Sequence, residues 1–206
     1  MKSFFSLVAL TLLSTTQLLS QKVSMPINSA FYDSDMKNFW VAFDMLNKDC
    51  KNPFHEFYIA KGTKGLESFM AGRIVNADSL FNTVLRRKDD YEKARTKTEN
   101  MLEKKLECLQ AYKKLKELYR NAIFPPVYFL IGRYNSGGHS SRAGIVIGAE
   151  MVDSAFIPFL VSHELIHYQQ KKIPKKNSIF YRHALTKEVQ ISLLNLFQGK
   201  VQGKKL

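Results

Sequence analysis

Ser154-Ala155-Phe156-Ile157-Pro158-Phe159-Leu160-Val161-Ser162-His163-Glu164-Leu165-Ile166-His167-Tyr168-Gln169-Gln170 reads as one helix with its chemistry on a single face. Ser154 opens it, and Phe159, Leu160, Leu165 and Ile166 supply an apolar stripe that anchors it to a core. His163 and His167 stand four apart, one turn above the other, so two imidazoles reach one zinc ion. Glu164 lies about 100° around the helix from His163, beside such an ion rather than on it. A carboxylate there takes the proton of a water that the ion activates. The HExxH pattern therefore predicts two zinc ligands and a general base.

A zinc site needs a third protein ligand. After the basic pair Lys171-Lys172 and Pro174, the sequence predicts a second helix, capped by Asn177 or Ser178 and running to about Phe197. Leu185, Val189, Leu193, Leu196 and Phe197 form its apolar face. Packed antiparallel, it returns Glu188 to the metal, 21 positions after His167. That separation is typical of gluzincin-like peptidases, which take a glutamate from a following helix. His183 is the alternative ligand. The three-histidine form HExxHxxGxxH is excluded, because positions 170 and 173 are Gln and Ile. His183, Tyr181 and Tyr168 are the candidates for a substrate oxyanion.

Upstream of the motif, Val127 to Ile131 and Ala143 to Ala149 are β-branched runs that predict two strands, as an antiparallel hairpin or as neighbours in one sheet. Between them, Asn135-Ser136-Gly137-Gly138-His139-Ser140-Ser141 reads as a turn-rich loop. It has no Gly-Lys-Ser ending for phosphate, and its serines are not in a nucleophile-elbow pattern. The strand over residues 143–149 is expected to accept an extended peptide by edge addition.

The N-terminal half is predicted to be helical. Phe39, Trp40, Phe43 and Leu46 recur at helical spacing between Ser34 and Asn47, with Ser34 or Asp35 placed to cap. Phe54 to Ala60 is readable as strand or helix, and Leu66 to Ile74 as a short helix. From Asn76 or Asp78 a periodic region runs to about Tyr119, with a break expected in the charged block Arg86 to Thr98.

The chain has 206 residues, 45% of them apolar, enough to build a sizeable core and too apolar for a disordered chain. Met1 to Gln21 has the plan of a secretory leader: Lys2, an apolar run from Phe4 to Leu13, then small and polar residues, with a cut expected near Ser20. Residues 1–20 are thus expected to be a signal peptide and 21–206 one domain, its helical part over 21–122 and its sheet and metal-site helices over 123–206. Export makes Cys50 and Cys108 a candidate disulfide, with two buried thiols as the alternative. The 31 Lys and Arg against 18 Asp and Glu give a net charge of +13, which favours acidic partners. Because acidic residues are interleaved with the basic ones along the helices, a nucleic-acid stripe is not expected.

Four blocks, taken in order, carry a family resemblance. They are Phe124-Pro125-Pro126-Val127-Tyr128-Phe129-Leu130-Ile131-Gly132-Arg133, Asn135-Ser136-Gly137-Gly138, Ile147-Gly148-Ala149-Glu150-Met151 and His163-Glu164-Leu165-Ile166-His167. Together they resemble a family of exported bacterial proteins, predicted zinc-dependent proteases distantly similar to the gliding-motility lipoprotein B group. The resemblance is clearest from about Phe124 to Phe197. It implies a zincin, with the motif helix beside a small sheet, His163 and His167 as ligands and Glu164 as base. The chain departs from the family where Val189-Gln190-Ile191-Ser192-Leu193 follows Glu188, in place of a Gly, a small residue and an Ala-Asp-Phe-like run. Relatives also continue beyond the point where this chain ends.

The expectation is an α+β, predominantly α, zincin-like metallopeptidase, periplasmic or secreted, that holds Zn²⁺ through His163, His167 and Glu188 and hydrolyses a peptide or protein. The alternative is a weakened or inactive zincin-like shell serving as an envelope or cell-surface binding protein.

Overall fold

The continuous runs Val127-Tyr128-Phe129-Leu130 and Ile145-Val146-Ile147-Gly148 are buried on both faces, which a strand achieves only between two layers. The computed structural model describes residues 29–47 and 51–172. In it a four-stranded sheet has the order β1-β2-β4-β3, built from β1 (Phe31–Tyr32), β2 (Val127–Leu130), β3 (Gly138–Ser140) and β4 (Ile145–Gly148). β1 and β4 run parallel to β2, and β3 runs antiparallel to β4.

The helices are α1 (Ser34–Asp44), α2 (Phe54–Phe57), α3 (Lys64–Phe69), α4 (Ala77–Arg86), α5 (Lys88–Glu99), α6 (Lys105–Leu118) and α7 (Ile157–Lys172). The chain is mainly helical with a small mixed sheet, an α+β arrangement. One face of the sheet presents Tyr128 to α3 and stacks it on Tyr32, with ring centroids 5.1 Å apart. The other presents Phe129 to Phe31, which also meets Tyr112 of α6.

Local chemistry sets the helix boundaries. Asn76 Oδ1 accepts the Ser79 N–H at 2.8 Å and starts α4, and the Thr63 hydroxyl accepts the Gly65 N–H at 3.1 Å and starts α3. The long periodic region is three helices, broken at Arg87 and at Asn100, both outside helical geometry. Residues 54–60 are helical rather than extended.

Of the two arrangements expected for the strand pair, the structure has neighbours in one sheet: β2 and β4 run parallel, and the chain crosses between them through β3. Two expectations are corrected. The turn-rich segment contains β3, a strand fixed by its pairing with β4 rather than by the propensities of Gly138-His139-Ser140. Finally, β4 is interior, flanked by β2 and β3, so it has no edge to offer a peptide. β1 was not foreseen; two residues carry no readable alternation.

Buried polar groups tie the helical layer to the sheet. Trp40 Nε1 donates to Thr98 Oγ1 at 3.0 Å, joining α1 to α5. The phenols of Tyr58 and Tyr91 donate to the carbonyls of Ile131 and Gly132 at 2.7 and 2.8 Å, capping the end of β2. Burial pushes both phenols well above their ordinary range. Gln169 holds Ile123 from both sides, through its N–H at 2.9 Å and its carbonyl at 2.6 Å. This clamps the motif helix to the segment entering the sheet. Cys108 is a free, buried thiol, pushed up to about 12 by burial, and Cys50 lies outside the described residues. Among the described residues, no helix is long and apolar enough to cross a membrane.

Candidate metal centre

The helix that carries the motif begins where the sequence places it. Asp153 accepts the Ala155 N–H at 2.9 Å, a short turn follows over Ser154–Phe156, and α7 continues from Ile157. Leu165 and Ile166 are buried in the core, as their stripe predicts. Ser162, also buried, donates to the Pro158 carbonyl at 2.6 Å, so its hydroxyl is satisfied within the helix.

His163 and His167 are half-buried and converge. Their Nε2 atoms are 3.0 Å apart and their ring planes are nearly perpendicular, at 84°. His167 Nδ1 stands 3.1 Å from Gln170 Oε1. An amide oxygen only accepts, so this contact suits the tautomer with its proton on Nδ1, the one that presents the Nε2 lone pair. A hydrogen bond on the outer nitrogen is how metal-ligating imidazoles are oriented. Phe159 backs His163, with ring centroids 6.4 Å apart and planes at 29°.

These residues fit zinc. Two nitrogens 3.0 Å apart, each about 2.05 Å from one ion, subtend about 94° at it, within reach of a four-coordinate angle after a small ring movement. Imidazole is a donor that zinc accepts readily. No other His, Cys, Asp or Glu among the described residues joins the pair to complete a group of three. Glu188 and His183 lie outside the described residues, as does Tyr181.

Glu164 is buried at 8% exposure and points to β3. Its Oε1 lies 2.9 Å, and its Cγ 3.2 Å, from the position a Cβ on Gly138 would occupy. Glycine at 138 is therefore what leaves room for the carboxylate. Glu164 therefore packs over the face of β3, the outermost strand of the sheet, from the helix that carries the histidine pair. Tyr168 is buried and follows Glu164 by one helical turn, on the face of α7 that carries the carboxylate.

The sequence reading missed two participants. Gln170 entered it only as the residue that excludes a third histidine pattern, although its position three after His167 predicts contact on one helical face. Gly138 was taken as a turn former; its role comes from a close approach that no local pattern announces. No protein-family model, curated protein or solved structure matches the chain.

Proposed function

We propose that the chain is an exported zinc-dependent metallopeptidase of zincin-like fold, related to the predicted protease family that its motifs resemble. The observation that carries this reading is the convergence of His163 and His167 at 3.0 Å, with His167 oriented by Gln170 and Glu164 beside them against β3. Glu188 is the third ligand in this proposal.

The division of labour follows from position. His163 and His167 bind as neutral imidazoles through Nε2, and Gln170 holds His167 in the tautomer that presents that lone pair. Zinc, when bound, supplies a Lewis acid that polarises a carbonyl and lowers the pKa of water. Glu164 takes the proton from the attacking water on a carboxylate oxygen and passes it to the departing amine nitrogen. Leu160 and the β3 backbone at Gly138 enclose that carboxylate, limiting its exchange with bulk water. The strand edge that adjoins Glu164 belongs to β3, so an extended substrate pairs there.

Glu164→Gln keeps the shape of the side chain and removes the base. Hydrolysis of a denatured protein substrate should fall at least about 10³-fold while zinc stays at the parental level. Full activity in the variant would remove Glu164 from the mechanism.

A further inference from the structure

Two arginines stand at the carboxyl end of the sheet without a role in the chemistry above. Arg133 follows β2, and Arg73 comes from the turn after α3, 60 residues earlier. Arg133 Nε donates to the Arg73 carbonyl at 2.7 Å, which Asn135 Nδ2 also reaches at 3.0 Å. Arg73 Nε donates to Ser136 Oγ at 3.1 Å, and that hydroxyl donates to the Gly138 carbonyl at 3.1 Å. The Arg73 guanidinium lies over the Phe69 ring, 5.4 Å from its centroid. Each Nε is thus committed to the protein. The terminal nitrogens of both side chains make no hydrogen bond or ion pair among the described residues. Both side chains are half-buried, with access to solvent.

Backbone strain is concentrated at the same place. Among the described residues, the non-glycines with left-handed φ are Val75, at 72°, and Tyr134, at 59°. Val75 stands two residues after Arg73, and Tyr134 follows Arg133. The conformation is costly for a β-branched residue. Gly72, at φ 77°, has open space where a Cβ would stand, so its backbone angle, not crowding, calls for glycine. Tyr134 is held from three sides: its N–H donates to Glu150 Oε1 at 3.1 Å, its hydroxyl donates to the Asp90 carbonyl at 2.8 Å, and Arg87 lies 4.0 Å over its ring. Strain maintained on both sides of a guanidinium pair marks a geometry that the fold enforces.

Gly138 links this pair to the reaction centre, because it meets Ser136 through its carbonyl and Glu164 through its missing side chain. An extended substrate along β3 advances about 3.3 Å per residue and would pass Gly138, whose carbonyl is tied through Ser136 to Arg73. Planar guanidinium forks with free terminal nitrogens match a carboxylate in a bidentate manner.

We propose that Arg73 and Arg133 form a subsite for a carboxylate of the peptide substrate, borne by an acidic side chain or by the chain's C-terminus. This specificity rests on the peptidase reading, but it is a binding property and is tested without turnover. The full chain carrying Glu164→Gln is titrated with three fluorescent octapeptides of one apolar sequence. One carries an internal glutamate and an amidated end, one a free C-terminal carboxylate, and one neither. At least one carboxylate peptide should bind about 10-fold or more tighter than the neutral one, and which of them does so identifies the source.

Arg73→Gln and Arg133→Gln should each erase that preference. Lys93→Gln with Lys113→Gln, two exposed lysines, removes the same kind of charge elsewhere and should leave it intact. Arg73→Lys preserves the charge but not the fork, and should bind the carboxylate peptide at an intermediate strength if Arg73→Gln disturbs folding. Equal binding of the three peptides, no binding of either carboxylate peptide, or the same loss in the lysine control overturns the proposal. Preference for a carboxylate, with no peptide hydrolysis by the parent chain, would instead count against the peptidase reading and leave the subsite standing.

Discussion

Glu164 Oε1 lies 2.9 Å from the point at which a Cβ on Gly138 would stand, so the proposed general base and the edge strand occupy the same few ångströms. The contact joins α7 to β3, two elements set 26 residues apart by Gly138 and Glu164. It makes the strand's lack of a side chain a requirement of the site. In Gly138→Ala the new methyl meets the far end of a flexible side chain, so Glu164 moves and the fold is retained. A displacement of about 1 Å at a catalytic group costs up to about 10²-fold in rate. We expect kcat to fall by that order with zinc content unchanged and the unfolding midpoint within a degree or two of the parent. An unaltered kcat would mean that the carboxylate is not positioned by β3.

The Gln170 contact to His167 predicts a different failure. Gln170→Ala removes the acceptor for Nδ1–H, and the imidazole is then free to rotate or to change tautomer. Zinc affinity, measured by competition with a chromogenic chelator, should weaken about 10- to 100-fold, whereas the helix content by circular dichroism should not change. Parental affinity would show that the amide does not orient the ligand.

Glu150 gives stability a pH dependence. It is buried, and its carboxyl is pushed from 4.5 up to about 7, chiefly by burial, against the N–H groups of Gly132, Glu150 and Tyr134 and the charge of Arg87. Its Oε2 has no hydrogen-bond partner. The folded protein therefore keeps a proton that the unfolded chain has lost between pH 4.5 and about 7. Stability falls as pH rises through that window and levels off above it. Glu150→Gln cannot ionise and removes this slope. Urea unfolding at pH 5, 6, 7 and 8 should show the variant gaining on the parent as pH rises, by up to about 3 kcal/mol at pH 8. Parallel curves would contradict the burial argument.

The sequence was most legible where the pattern is local. His163, Glu164 and His167 lie within five residues, and helical geometry alone brings the histidines together. β2 and β4 were readable because both faces are buried, which leaves continuous apolar runs. β3 was not, because Gly138-His139-Ser140 has the composition of a turn and becomes a strand through its partner. That one omission misplaced the sheet edge and assigned substrate pairing to β4. Arg73 and Arg133 were illegible for a related reason: their association spans 60 residues and depends on backbone carbonyls and on strained turns. Glu150 entered only as part of a family-like block, since nothing in Gly148-Ala149-Glu150-Met151 announces a buried acid.

The central claim is a three-ligand zinc site, and elemental analysis of zinc per chain tests it most directly. The comparison is between the mature protein without a histidine tag and its His167→Ala and Glu188→Gln variants, each dialysed from zinc-replete buffer. The account predicts about one zinc per parent chain, near-complete loss in His167→Ala and marked loss in Glu188→Gln. No zinc in the parent would contradict it outright, and full occupancy in Glu188→Gln would remove that residue from the ligand set.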